Sequence, residues 1–534
     1  MPEKIILINP PTTDPGESTI YFPMALLTLG GVLKKLNVTT ELWDFDLYFK
    51  NVRNTTETQF RKLLLAGVDG SRARVFGISS ICSNLPMALW IAREIKRHKR
   101  QSIILLGGPQ PSSVPLQLLE RFDFIDLIAV GEGEKTLEDL VQAGFDKHKI
   151  PEIPGVGYRH DGVAKLTAHR ALVPNMDELP YPDYSLIRFS DYSAHHLSTY
   201  VAHVEVGRGC PYSCTFCSTA LMWEKDFRVK SPRRILDEME FLNKEYGFKE
   251  FGFIHDNFTT SKKFVDEFCQ FMEKENTRKL RWAASSRTDC LTIERLERMH
   301  RVGLSGLFYG IETGSPRMQK IIKKGLQLEN FEPILKRANE LGICSTTAFI
   351  LGFPEETKDD IDQTLWRALH YRGLGTEKIF FSKLTALTGT ALYDNNLDKF
   401  TEFSRPSTIS PQNYGLPFVT EIIRKYPDLF ASYYHIPHPT LSSEYLAKLV
   451  EFSHLLINGD PKLSLMIIEN VHLGGTRLFE MWDDWAMERK VPYWLYRIYT
   501  LGDFKRDFQT FLDEKLFSQI KVDLGRSTIA ARAA

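Results

Sequence analysis

Three cysteines fall within eight residues in the segment Cys210-Pro-Tyr-Ser-Cys214-Thr-Phe-Cys217. Thiolates this close on one loop can ligate three irons of a [4Fe–4S] cluster and leave the fourth iron open to an outside ligand. A zinc site would recruit a fourth protein ligand, and the nearby His203 precedes Cys210 without the spacing of a zinc finger. The other four cysteines, Cys82, Cys269, Cys290 and Cys344, are isolated from one another and read as small buried hydrophobes. An odd total of 7 in a chain of 534 residues argues against a disulfide framework and for reduced thiols or metal ligands.

Such a loop needs a rigid scaffold, and the order of apolar segments describes one. Over residues 1–145 the runs KIILINPP, TTELWDFD, RARVFGISS, SIILLGG and FIDLIAVGEGE alternate with helix-length stretches such as ALLTLGGVLKKL and LPMALWIAREIKRH. That alternation predicts a five-stranded, doubly wound, Rossmann-like α/β domain. Ligands of such sheets sit beyond the carboxyl ends of the strands. The residues there are Asn9-Pro10, Ser79-Ser80, Gly107-Gly108-Pro109-Gln110 and Gly131-Glu132-Gly133. Glycines at several strand ends let a planar or phosphate-bearing ligand approach the backbone, although glycines also simply make turns. The basic run Lys96–Arg100 closes a helix and reads as a solvated cap.

Residues 146–197 are proline-rich, carry a weak strand pair around GVGYRHDGVAKL, and read as a linker. Residues 198–394 show six βα steps, fit for a partial TIM-type (β/α)6 barrel whose strand carboxyl ends build the active site. The three-cysteine loop directly follows the first of those strands. Residues 395–534 are mostly helical and aromatic, with Tyr433, Tyr434, Trp482, Trp485, Tyr493 and Trp494. Core packing accounts for most of these rings, and covering the barrel mouth against an apolar or peptide substrate is the rival reading. His435 and His438 flank Ile436-Pro437, a turn context. With 67 basic and 67 acidic side chains the chain has no net field for gripping nucleic acid. No run reaches the roughly 18 apolar residues of a membrane span, so the expectation is a cytoplasmic protein with neither a nucleic-acid partner nor a membrane span.

The cysteine segment resembles the hallmark C-x3-C-x-aromatic-C of the radical S-adenosylmethionine (SAM) superfamily, with Phe216 as the aromatic residue. The resemblance implies that the open iron binds the amino and carboxylate groups of SAM, whose reductive cleavage gives a 5′-deoxyadenosyl radical. Further barrel segments are similar to the same family. FIHDNFT puts Asp256 where an acid contacts the ribose, with Asn257 as a second candidate; a capping Asp before a helix near Ser261 is the alternative. WAASSRTD offers Ser285 and Arg287, the latter suited to a carboxylate, with a surface ion pair as the rival reading. FYGIETGS puts Glu312 where an acid helps hold the methionyl part, and AFILGFPEET puts Leu351 and Gly352 along the adenine. Lys323-Lys324-Gly325 matches a helix-cap element of the family and carries only a structural expectation. In TALTGTALYD, Thr388 replaces the family's usual proline.

The first domain resembles the cobalamin-binding branch of that superfamily through INPP, PMALLTLGGVLKK, GGPQPS and VGEGE, in that order. The resemblance implies corrin contacts from Asn9, Pro10, Ser79, Ser80, Gly107, Gly108, Pro109, Gln110, Gly131, Glu132 and Gly133. With no D-x-H-x-x-G, no histidine is offered below the cobalt, and the expected cofactor is base-off; a Rossmann-like domain that has lost its cofactor is the alternative. The implied activity is a cobalamin-dependent radical SAM C-methyltransferase that methylates an unactivated carbon through methylcobalamin. It would take a small-molecule or peptide substrate and a one-electron reductant such as a flavodoxin or ferredoxin. The same architecture would serve a non-methylating rearrangement, cyclisation or oxidation, and a cobalamin- or metabolite-sensing binding protein is the reading from another class.

Overall fold

The first sheet begins with β1 (Lys4–Asn9), β2 (Thr39–Asp44), β3 (Val75–Ser79), β4 (Ile103–Gly107) and β5 (Leu127–Ala129). These are the five parallel strands that the alternation predicts, and they lie in the order 2-1-3-4-5. Both faces are buried. Ile6, Ile8, Phe76, Ile78, Ile104 and Leu106 enter one core, while Ile5, Leu7, Val75 and Leu105 enter the other. The period-2 pleat thus turns a continuous apolar run into two core surfaces. In this strand order the connection reverses at β1 and β3, which opens the ligand crevice between Asn9-Pro10 and Ser79-Ser80.

Two more strands, β6 (Val156–His160) and β7 (Val163–Leu166), extend the sheet to seven. They form an antiparallel hairpin on β5. The stretch expected to link two domains therefore supplies a sheet edge. Its turn, Asp161-Gly162, has φ of 52° and 80°, the paired positive values that a tight hairpin requires and that Asp-Gly supplies.

The second sheet has six strands in sequence order: β8 (Ala202–Glu205), β11 (Glu250–Ile254), β12 (Arg281–Ser286), β13 (Leu304–Glu312), β14 (Cys344–Leu351) and β15 (Lys378–Lys383). Between the first two lies a short antiparallel pair, β9 (Gly207–Arg208) with β10 (Arg228–Val229). Helices Pro232–Tyr246, Lys262–Glu275, Ile293–Arg301, Phe331–Glu340 and Lys358–Gly373 alternate with the strands. Ser231, Ser261 and Thr357 cap three of them with their hydroxyls. This is the α/β order of a partial TIM-type barrel.

These features belong to a computed structural model that describes residues 4–12, 21–51, 56–192, 195–196, 199–402, 416–470, 473–493 and 499–517. The chain divides into two compact units. One comprises Met1–Cys290, Glu294–Gly306 and Thr385–Pro437, and the other Leu291–Ile293, Leu307–Leu384 and His438–Ala534. The first unit therefore reclaims a late piece of chain: Leu416, Val419, Ile422, Leu429 and Phe430 complete one of the cores on the first sheet. In the second unit, helices Ser443–Gly459, Gly475–Glu488 and Leu501–Phe511 gather Phe452, Phe504, Phe508 and Phe511 around the buried ring of Trp482, with Trp485 stacked on it. Tyr493 is also buried there, so these aromatics are core, and Trp494 lies outside the described residues. Among the described residues no helix is long and apolar enough to cross a membrane.

Candidate active site

In the first unit, the cysteine loop leaves β9 at Gly209 and returns at β10. Gly209 has φ of 94°, and a Cβ there would drive into the Asp226 carbonyl, so glycine is required for the loop to close on itself. Asp256, just past β11, fastens both sides of the loop. One carboxylate oxygen accepts the Gly209 N–H at 2.8 Å and the other accepts the Thr219 hydroxyl at 3.1 Å. The helix that follows is capped by Ser261, so Asp256 is not the cap; its carboxylate is turned to the cysteine loop.

Asn257 holds the end of β12, its Oδ1 accepting the Arg287 N–H at 3.1 Å. Arg287 directs its fork at Asp289, with N–O distances of 3.0 and 2.8 Å, and lies 3.6 Å over the ring of Tyr212. Arg287 is therefore in an ion pair, but a buried one and not the surface pair expected, and it seats Tyr212 inside the cysteine segment. The Tyr212 hydroxyl in turn meets Cys290 Sγ at 3.4 Å. Ser285 is half-buried at the same strand end, and its carbonyl accepts the Phe258 N–H.

Cys210, Cys214 and Cys217 are in no disulfide and each is half-buried, as is Phe216 between them. Burial pushes the Cys210 thiol up to about 11, and Cys217, Asp256 and Cys214 nearby add to the rise. Such a thiol does not ionise alone at neutral pH; metal binding must drive out its proton. No three His, Cys, Asp or Glu side chains among the described residues are arranged around a single ion. A cubane does not ask for that, since each thiolate takes a separate iron. The donor set fits the cluster: three soft ligands on one clamped loop.

The crevice of the first sheet is also built by side chains. Asn84, which the sequence did not single out, donates to the Pro10 carbonyl and accepts from the Ser80 hydroxyl, tying the β1 and β3 loops together. Ser79 ends β3, half-buried. Asn9 donates to Asp44 at 2.9 Å and to Asp46 at 3.3 Å, and burial beside Asp46 raises Asp44 to about 6. Asn9 is therefore bound to these acids. Gly107 lies against Ala129, and Pro109 opens the short helix after Gly108. Gly108 has φ of 102°, and a Cβ there would collide with the Ser80 carbonyl, so the protein itself demands glycine. Gly131 differs: its φ is 80°, and nothing lies within 4 Å of where a Cβ would stand. Gly133 packs near Leu29.

Two expected corrin residues are committed elsewhere. Gln110 is buried and its amide donates to Thr388 Oγ1 and the Leu429 carbonyl, each at 3.0 Å. Glu132 is buried in an ion-pair network with Arg208 and Arg228. The physical reason is the same for both: a buried polar group goes to whatever donors or acceptors the fold brings, and here those come from distant segments.

In the second unit, Glu312 ends β13 with φ of 68°, a conformation that costs a non-glycine residue on the order of 1–3 kcal/mol. Its carboxylate pairs with Lys324 at 2.8 Å. Lys324, given only a helix-cap role from the sequence, is thus the ion-pair partner of Glu312; the signal was a buried acid in need of a cation. Past β14, the fully buried Leu351 leads into Gly352, with φ of 97° and Leu446 opposite its missing side chain. The Gly352 N–H is held by Glu356 at 2.7 Å. Burial raises Glu356 to about 8, so it is a neutral acid at pH 7. His438 sits in the turn expected there, its Nε2 meeting the Glu356 carbonyl and its Nδ1 accepting backbone N–H groups of Thr440 and Leu441.

Comparison with known proteins agrees with both halves of this picture. The Radical SAM superfamily profile matches residues 204–366, and the B12 binding domain profile matches residues 19–141. An uncharacterised methyltransferase of Pyrococcus horikoshii is 30% identical over 355 residues, covering 66% of this chain and 76% of that protein. The cytidylyl-2-hydroxyethylphosphonate methyltransferase of Streptomyces wedmorensis is 26% identical over 403 residues, covering 66% and 73%. The anaerobic magnesium-protoporphyrin IX monomethyl ester cyclase of Cereibacter sphaeroides is 28% identical over 267 residues, covering 49% and 43%. Among solved structures, the radical SAM methyltransferase TsrM from Kitasatospora setae, with cobalamin and a [4Fe–4S] cluster bound, superposes with a TM-score of 0.61 at 17% identity, covering 83% of this chain and 86% of that one. The cobalamin-dependent SAM radical enzyme OxsB matches with the same TM-score at 19% identity, covering 97% and 75%.

Proposed function

Since the chain belongs to the cobalamin-dependent branch of the radical SAM enzymes, with a [4Fe–4S] cluster, SAM and cobalamin as cofactors, we propose that it methylates an unactivated carbon of a natural-product or peptide substrate. The observation that carries the site assignment is the cysteine loop: three thiols on one loop that Asp256 fastens at Gly209 and Thr219 and that Arg287 braces through Tyr212. Methyl transfer itself draws its support from the relatives that are methyltransferases.

In this reading Cys210, Cys214 and Cys217 ligate the cluster and Phe216 shields it. When bound, the cluster would relay one electron from an outside reductant to SAM, and cobalamin would carry the methyl group. The chain's own residues bind, orient and exclude water. Glu312 and Lys324 present a negative and a positive group side by side, the complement of an amino acid's ammonium and carboxylate, and so suit the methionyl end of SAM. Leu351 and Gly352 offer an apolar edge and a bare backbone to the adenine, with Glu356 fixing the Gly352 turn. Asp256, Asn257, Ser285 and Arg287 serve chiefly by holding the cysteine loop and its neighbouring strand ends. In the first sheet the crevice between Asn9-Pro10 and Ser79-Ser80, with the open side of Gly131, receives the corrin.

The test is anaerobic reconstitution with iron, sulfide and cobalamin, followed by reduction with methyl-labelled SAM and candidate peptides or natural-product intermediates. Labelled product together with 5′-deoxyadenosine is the expected result. A product altered without label gives the non-methylating alternative, and absence of both altered product and 5′-deoxyadenosine would leave a binding protein.

A further inference from the structure

Glu132 follows Gly131 at the carboxyl end of β5, and Arg208 stands two residues before Cys210. The two side chains meet in the first unit. Glu132 Oε1 accepts from Arg208 Nη1 at 2.8 Å and from Arg228 Nη1 at 2.9 Å, while its Oε2 accepts the Val173 N–H. Arg208 spends its remaining donors on Glu134 at 2.6 Å and on both oxygens of Glu205 at 2.8 and 3.0 Å. Arg228 also donates to the Val173 carbonyl at 2.6 Å. Trp223, itself within the cysteine loop, covers both guanidinium groups at 5.5 and 5.8 Å. The side chains of Glu132, Glu134, Arg208 and Arg228 are 2–8% exposed.

We propose that Glu132, Arg208 and Arg228 are positioning residues that set the distance between the cobalamin crevice and the iron–sulfur loop. Burying charges this deeply is costly, and well-packed apolar side chains would commonly hold two segments together as firmly. What a guanidinium adds when it spreads its nitrogens over several carboxylates, as Arg208 does over Glu132, Glu134 and Glu205, is a fixed direction and length. The pairs join the two segments in question: Glu132 is adjacent to Gly131 at the carboxyl end of β5, and Arg208-Gly209-Cys210 is the entry to the loop. The acids of the VGEGE segment thus face the cysteine loop's stem and leave the corrin to the backbone around them.

This inference rests on both cofactors being bound as proposed above, so the experiment reads their separation directly. In the reconstituted holoenzyme, the magnetic dipolar coupling between Co(II) and the reduced cluster falls with the cube of their distance. It is measured by electron paramagnetic resonance in wild type and in Glu132→Gln, which keeps the shape of the side chain and removes its charge. The expected result is unchanged iron, sulfide and cobalamin content with a shifted and broadened coupling. Arg208→Lys keeps a buried cation and loses the fork; it should shift the coupling likewise, and it carries the test where Glu132→Gln yields no folded protein. Coupling indistinguishable from wild type in a fully loaded variant overturns the proposal. A wild-type protein that takes up the cluster but no cobalamin overturns the reading of the first domain instead, and is recognised by the missing cobalt signal.

Discussion

Glu312 combines three features seldom found in one residue: burial, a positive φ and a lysine partner. Strain of this kind persists where surrounding contacts overdetermine it, which suits a group that must face a ligand. Replacing Glu312 by Gln keeps the shape and removes the charge. SAM affinity should fall roughly tenfold or more, by the worth of one charge-assisted hydrogen bond, with cluster content unchanged. Equilibrium dialysis with the reconstituted protein checks this, and equal affinity in the two proteins would remove Glu312 from the site. At the cluster, Cys214→Ala should abolish iron and sulfide retention, because two thiolates seldom hold a cubane with one open iron; undiminished iron content would refute the ligand set. Glu356 makes a prediction about pH. Its carboxyl rises from 4.5 to about 8, so the folded chain keeps a proton that the unfolded chain releases. The stability this contributes is intact below about 4.5 and is lost as pH rises through about 8. Glu356→Gln cannot ionise, so its unfolding midpoint should vary less than wild type's between pH 6 and 9, by on the order of a few kcal/mol in free energy. Parallel melting curves across that range would show that Glu356 is charged in the folded protein.

Among the loops that end the strands, two glycines of similar φ answer to different constraints. Gly108 is pressed against the Ser80 carbonyl, whereas Gly131 faces open space. A side chain at Gly108 should destabilise the first unit whether or not a ligand is present. At Gly131 the protein offers no obstacle beyond the φ penalty, about 1–2 kcal/mol, so Gly131→Phe should fold with only a modest drop in melting temperature. It should nevertheless lose cobalamin, because the ring would fill the space left for the corrin, while iron and sulfide content survive. Cobalamin uptake equal to that of wild type would place the corrin elsewhere.

For the molecule as a whole, the late segment Thr385–Pro437 belongs with the first unit. Helix Pro417–Lys425 packs on helix Leu85–His98, Tyr433 donates to the Ser83 carbonyl, and Arg121 pairs with Asp428 at 2.8 Å. A chain ended after Leu384 would therefore uncover the core of the first sheet. Losing the burial of Leu416, Val419, Ile422, Leu429 and Phe430 forfeits about 7–15 kcal/mol of transfer free energy, comparable to the whole stability of a domain. Such a chain should be insoluble or rapidly cleaved in limited proteolysis within residues 1–145. A soluble, protease-resistant product would show that the first sheet completes its core without that segment.

Periodicity and short motifs are local, and the sequence by itself determined what is local. The strands from Lys4 to Ala129 and from Ala202 to Lys383, the weak strand pair around GVGYRHDGVAKL, and the three-thiol loop could each be read from a few consecutive residues. Partners of buried polar groups are not local, and only the tertiary structure decided them. Asp256 reaches back 47 residues to Gly209, Glu132 reaches forward 76 to Arg208, and Gln110 meets Leu429 across 319. Each carries the same local signature as a ligand-binding residue, a polar side chain at a strand end. Which of them a ligand finds free depends on where the remote donors and acceptors of the folded chain come to rest, because a buried hydrogen-bonding group left unpaired costs more than any nearby sequence preference.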